Sequence, residues 1–330
     1  MNTDKCFSTG LVIGKFYPPH RGHHLLIDTA IAQCERVFVM VCDHPSQQIP
    51  GELRAACLRE VHPAATVIRI DDDLPDDDSA AWAENTKRIL GFVPEAVFTS
   101  EDYGDPYARF LGSTHVLVDR ERIRIPCSGT MIRQDPLAHL DCLSPFMRAW
   151  YVKRVCIIGA ESTGTTTLAQ ALAAHCQTEW VPEYGREYCE KNWREGYAWK
   201  TGEFTHIATE QTRRENLAAR LANRVLICDT DALATSVWHE RYLNQPSPEV
   251  IAIARSRPHD LYILTGDEIP FAQDGLRDGE HIRHAMHRRF REVLEDWGTP
   301  WLEVHGPHAE RMQQATARID ALLDSCRQRE

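Results

Sequence analysis

The chain has 330 residues, 43% of them hydrophobic, and a formal net charge of −11. That length exceeds what one small core serves, so two domains are expected, and the acidic balance argues against a surface built to hold nucleic acid. No basic stretch leads into a long apolar run and no apolar segment reaches spanning length, which predicts a cytoplasmic chain without membrane partners.

Residues 11–14 read as a buried parallel strand, and from Gly22 onward Leu25, Leu26, Ala30 and Ile31 recur at helical spacing. Between them lies Gly14-Lys15-Phe16-Tyr17-Pro18-Pro19-His20-Arg21-Gly22-His23, which fills every fixed position of the pattern GxFxPxHxGH. Pro18 and Pro19 forbid helix, so the helix opens near Arg21 or Gly22, and its unpaired N–H groups and positive dipole end face incoming phosphate. His20 and His23 flank that end, where imidazoles can donate hydrogen bonds to phosphoryl oxygens and stabilise charge that builds up during transfer. Gly22 admits a ligand that a side chain would exclude. A metal site is disfavoured, because HRGH lacks the HExxH spacing.

Three nearby features read as bland. His24 is expected at the surface, and Arg54 reads as a solvated helix residue rather than a phosphate ligand. The acidic run at 71–78 lacks the glycine and terminal glutamate of a calcium loop, so it reads as solvated. The eleven cysteines are scattered without a CxxC, and Cys42, Cys156 and Cys228 sit in strand-like runs, so free thiols are expected.

The first turn resembles that of the nucleotidyltransferase superfamily, which moves AMP or CMP from a nucleoside triphosphate onto a phosphate. In that superfamily a signature SxTxIR lies at another helix start. Here Ser128-Gly129-Thr130-Met131-Ile132-Arg133 follows a strand-like stretch at 115–118. Ser128 and Thr130 offer hydroxyl and N–H groups to a triphosphate, and Arg133 offers a bidentate fork. The bland alternative is an N-cap on a short helix.

Strand signals lapse over 135–151, around Pro136 and Pro145, which predicts domains at 1–150 and 151–330. A second strand-like run at 155–158 is followed by Gly159-Ala160-Glu161-Ser162-Thr163-Gly164-Thr165-Thr166-Thr167 and a helical stretch at 168–174. This is a phosphate-binding loop with Thr165 where a P-loop carries lysine. Gly159 and Gly164 permit the wrap that aims N–H groups at phosphate, and Thr166 occupies the place whose hydroxyl holds magnesium. Lys200, Arg186, Arg277 and Arg283 are candidates for the missing cation, with Gly275 as the hinge of a lid over 273–277.

As a pair, the two halves resemble the bifunctional NadR family, a nicotinamide mononucleotide adenylyltransferase followed by a ribosylnicotinamide kinase. Further strings carry the likeness, at 99–101, 181–187, 229–231 and 270–277, with Thr165 and Phe271 as departures. The resemblance implies two doubly wound parallel α/β domains, an HxGH nucleotidyltransferase Rossmann-like domain and a P-loop kinase-like domain. It implies ATP as substrate, Mg2+ as cofactor, and nicotinamide mononucleotide, nicotinamide riboside and NAD as small-molecule partners, and it leaves homo-oligomers open. Catalysis would fall to His20, His23 and Arg133, and in the second domain to Glu183 as base. ATP would meet Gly14, Lys15, Phe16, Gly22, Ser128 and Thr130 in the first domain. In the second it would meet Gly159, Glu161, Ser162, Thr163, Gly164, Thr165, Thr166, Thr167 and Arg277. Trp82 would stack on the nicotinamide ring or serve the core. Tyr184, Arg186, Asp229 and Asp231 would bind the riboside, and Thr166 and Asp229 the metal.

Two other readings remain. The second domain could be a nucleotide-sensing module that does not turn over, leaving an adenylyltransferase alone. Some relatives carry a helix-turn-helix in front, but thirteen residues precede Gly14, so a repressor role is not expected.

Overall fold

The computed structural model describes residues 5–192, 194, 197–273, 275 and 279–326. The chain divides into two compact units, Met1–Met147 and Arg148–Glu330.

In the first unit five parallel strands run in the order β3-β2-β1-β4-β5. They are β1 (Phe7–Gly14), β2 (Cys34–Asp43), β3 (Ala65–Asp71), β4 (Ala96–Thr99) and β5 (Thr114–Leu117). Alternation along β1 sorts its side chains between two cores. Val12 packs with Leu26 and Ile27 of α1 (Arg21–Gln33) and Leu58 of α2 (Gly51–Val61). Leu11 and Ile13 pack on the other face with Trp82 of α3 (Ser79–Leu90) and Leu111 of α4 (Gly104–Leu111). A strand covered on both faces must be apolar at every position, which is why residues 11–13 show no polar alternation. Each such side chain contributes about 1.5–3 kcal/mol through burial. The strand order reverses beside β1, and ligands of open parallel sheets bind outside the carboxyl ends of strands at such a point.

The second unit repeats the plan with the order β10-β9-β6-β8-β7. Its strands are β6 (Lys153–Ile158), β7 (Trp180–Val181), β8 (Val225–Asp229), β9 (Leu261–Thr265) and β10 (Trp301–Val304), all parallel. β6 feeds α7 (Thr165–Cys176) through the loop bounded by Gly159 and Gly164. α8 (Tyr184–Asn192), α9 (Thr201–Ala218) and α10 (Ala232–Leu243) follow, then α11 (Pro248–Ser256), α12 (Glu280–Trp297) and α13 (His308–Ser325). No described helix is long and apolar enough to cross a membrane.

Cys127 and Cys142 form a disulfide, against the expectation of free thiols throughout. The nine other cysteines are not disulfide-bonded. The fold brings two residues fifteen apart to a Cα separation of 6.3 Å, which no CxxC spacing announces.

Candidate active sites

β1 ends at Gly14 and the chain bends through Pro18 and Pro19 before His20 caps α1. The His20 ring reaches back to accept a hydrogen bond from the Gly22 N–H at 3.1 Å on Nδ1, so its proton sits on Nε2. His20 and His23 stack with centroids 3.8 Å apart, and Phe16 meets His23 edge-on at 5.0 Å. Burial, with Arg122 nearby, pulls His20 down to about 4. Burial, the imidazoles of His20 and His24 and then Arg122 keep His23 well below its ordinary value. Both rings are therefore neutral hydrogen-bond donors near pH 7, and the N–H groups of the α1 terminus lie beside them.

The second motif closes on the first. Ser128 caps α5 (Gly129–Gln134) by accepting the Met131 N–H at 3.1 Å. Arg133 donates to the Tyr17 carbonyl at 2.6 Å and to the Thr130 hydroxyl at 3.2 Å. A Cβ at Gly129 would sit 2.6 Å from that carbonyl oxygen, so only glycine lets α5 approach the bend. Both helix N-termini thus open on one cavity, which Gly14, Lys15, Phe16, Gly22, Thr130 and Trp82 also line. Lys15 reaches Asp76 at 2.9 Å and Asp72 at 3.6 Å. The Trp82 ring belongs to the core while one side borders the cavity, and its Nε1 donates to the Pro75 carbonyl at 3.0 Å.

In the second unit Gly159, Glu161, Ser162, Gly164, Thr165, Thr166 and Thr167 line a cavity together with Glu183 and Arg186. Trp199, Phe204, Trp238 and Tyr242 form an aromatic wall. Thr166 donates to Asp229 Oδ2 at 2.6 Å. Asp229 Oδ1 is buried without a partner, and burial raises this carboxyl against the opposing pull of Thr166, Thr165 and Arg186. Arg311 and Arg283 donate to the carbonyls of Thr163 and Ser162 at 2.7 and 3.2 Å, which clamps the loop from behind.

Comparison with known proteins fits both halves. Residues 11–135 match the cytidylyltransferase-like family and residues 154–311 the AAA domain family. The chain is 30% identical, over 89% of its length and 78% of theirs, to the trifunctional NAD biosynthesis/regulator protein NadR of Escherichia coli (strain K12) and that of Salmonella typhimurium (strain LT2). It belongs to the NadR family. A crystal structure of NadR protein in complex with NR shares the fold over 96% of both chains, with a TM-score of 0.78 at 21% identity. A second, in complex with NAD and AMP-PNP, gives 0.76 at the same coverage.

Several expectations drawn from the NadR likeness and from the bare sequence are corrected by side-chain placement. Asp231 does not line the second cavity; it caps α10 through the Ala234 N–H and accepts the Tyr262 hydroxyl at 2.7 Å. Tyr184 also stands off the cavity, bonded to His206 at 3.0 Å under the Arg214 guanidinium. Thr163 is buried within the loop, its hydroxyl on the Ala160 carbonyl and Thr265. Lys200 and Arg283 do not border the cavity, whereas Arg186 does, and Arg277 lies outside the described residues. Arg54 is fully buried rather than solvated, and His24 is half-buried, its Nδ1 2.9 Å from His62 Nε2. The acidic run is not simply solvated, since Asp72 is buried and Asp78 caps α3.

Sequence reasoning missed Arg122, which lines the first cavity and acts on both imidazoles. Its backbone lies in the left-handed region at φ 51°, in a loop whose Arg124 and Ile125 N–H groups are held by Asp119. An arginine six residues before Ser128 carries no local signal.

Proposed function

We propose that the first unit transfers AMP from ATP to nicotinamide mononucleotide, giving NAD and pyrophosphate, and that the second phosphorylates nicotinamide riboside with ATP. The observation that carries this is the convergence of the His20–His23 pair and the α5 terminus on one cavity beside Trp82. A phosphate oxygen of the mononucleotide attacks the α-phosphorus, the bond to the bridging oxygen breaks, and pyrophosphate leaves. The protein's work is to align two polyanions and offset their repulsion. His20 Nε2–H, the helix N–H groups, Arg133 and Arg122 border this cavity and would offset the charge that develops. Lys15 exchanges its carboxylate partners for phosphate, and Trp82 faces the nicotinamide ring.

In the second unit Glu183 takes the proton of the acceptor hydroxyl. The Thr166 hydroxyl and the unpartnered Oδ1 of Asp229 form an oxygen donor set that suits Mg2+, which would neutralise phosphate charge when bound. Arg186 supplies the cation absent at Thr165, since it borders the cavity and acts on Asp229. The competing reading, an adenylyltransferase with a silent second unit, is favoured only by that missing lysine.

Chromatography of products after incubation with magnesium, ATP and each acceptor separates the two. NAD is expected from the mononucleotide, and the mononucleotide followed by NAD from the riboside; NAD from the mononucleotide alone would leave the second unit silent. His23→Ala should slow adenylyl transfer about 10²–10³-fold and leave riboside phosphorylation at the parent rate. Equal adenylyl transfer by parent and variant would remove the first assignment.

A further inference from the structure

Between Asp229 and Asp231 the chain passes through Thr230 with φ at 68°. Left-handed backbone is costly for a β-branched residue, and glycine or asparagine would take it readily. Thr230 also lines the second cavity. Its conformation is held from several sides. The Thr230 N–H donates to the Ile157 carbonyl at 2.9 Å, and its own carbonyl accepts from Gln211 Nε2 at 3.3 Å. The next residue, Asp231, is tied to α10 by the Ala234 N–H at 2.9 Å, to the Tyr262 hydroxyl at 2.7 Å and to His259 Nδ1 at 3.3 Å. Gln211, Asp231, His259 and Tyr262 are all buried. A strained conformation persists where its surroundings over-determine it, and such strain gathers at sites of function.

We propose that Thr230 orients the sugar of the acceptor nucleoside through its hydroxyl, and that Gln211 and the Asp231–Tyr262 pair are positioning residues that hold it in this backbone state. The assignment rests on the reading of the second cavity as a nucleoside kinase site. Placement argues for the sugar. Asp229, with its unpartnered Oδ1, precedes Thr230 in the chain, and the same cavity is lined by four aromatic side chains, a surface that suits a flat ring. With the ring of an acceptor nucleoside at that wall and its reacting hydroxyl at the loop of residues 159–167, the group left between them is the ribose, and a neutral hydroxyl can both donate to and accept from a sugar hydroxyl.

Calorimetric titration with nicotinamide riboside, in the presence of magnesium and AMP-PNP, tests this without requiring turnover. Thr230→Gly relieves the backbone and removes the hydroxyl, so the dissociation constant should rise about tenfold while the melting temperature stays at or above that of the parent. Thr230→Ser should bind within about threefold of the parent, because it keeps the hydroxyl. Tyr262→Phe should weaken binding about threefold in the parent background and add nothing in the Thr230→Gly background, since the clamp then has no side chain to hold. Thr230→Gly binding within twofold of the parent, or melting below Thr230→Ser, overturns the assignment; so does an equal Tyr262→Phe effect in both backgrounds. A parent chain that takes up no riboside removes the kinase reading itself and this assignment with it.

Discussion

A guanidinium can be buried only where its N–H groups find acceptors, and Arg54 meets that condition with five hydrogen bonds. Its Nε donates to Ile49, its Nη1 to the carbonyls of Lys15 and Cys42, and its Nη2 to Asp43 and Gln47. Because Lys15 opens the histidine bend, Arg54 braces the bend from inside the molecule. Arg54→Ala should cost about 3–5 kcal/mol in urea unfolding, since it strands buried acceptors. A loss under 1 kcal/mol would show that the bend stands without it. In the sequence Arg54 looks like any helix arginine, because its partners lie on segments 5 to 39 residues away. His20 and His23 were legible for the opposite reason: cap, glycine and imidazoles are neighbours in the chain.

Elements place these groups, and α5 shows how. It has six residues, too few to persist alone, and is held by its Ser128 cap, by Arg133 on Tyr17 and by the disulfide just before its cap. Closing a loop of fifteen residues removes about 3 kcal/mol of unfolded-state entropy in the chain-entropy account. Cys142→Ser should therefore lower the stability of this unit by about 2–3 kcal/mol, read in urea under non-oxidising handling of both proteins, with the parent keeping its disulfide. Equal midpoints would mean the bridge constrains nothing. The motif around α5 is visible in the sequence, and the bridge is not, since pairing among eleven cysteines is a matter of where the fold brings them.

At the scale of the whole molecule, acid should weigh on the first unit through its neutral imidazoles. His20 is pulled to about 4 and His24 to about 3, each first by burial, and His23 also lies well below the ordinary 6.5. Between those values and 6.5 the unfolded chain binds more protons than the folded one, so stability falls as pH drops through that window and is fully present above it. Melting temperatures from pH 7 to 4.5 should decline, and His24→Leu should flatten the decline; a variant as steep as the parent would exclude His24 from it. That sensitivity has no sequence signal, because a histidine reads alike on the surface and beneath it.

What the sequence determined by itself was local: two glycine-containing strand-to-helix turns, the residues that build them, and the succession of apolar runs that dictates two parallel sheets. Those features are encoded within about ten residues each, where backbone geometry and hydrogen bonding are settled by neighbours. Only the tertiary structure decided which charged and polar groups face a cavity and which are spent on holding it. Asp231 became a helix cap, Arg54 a brace, and Arg122 and Arg186 cavity cations, because each outcome depends on contacts between distant segments. Burial also sets the dielectric around a group and the partners it can reach, and neither exists until the chain has folded.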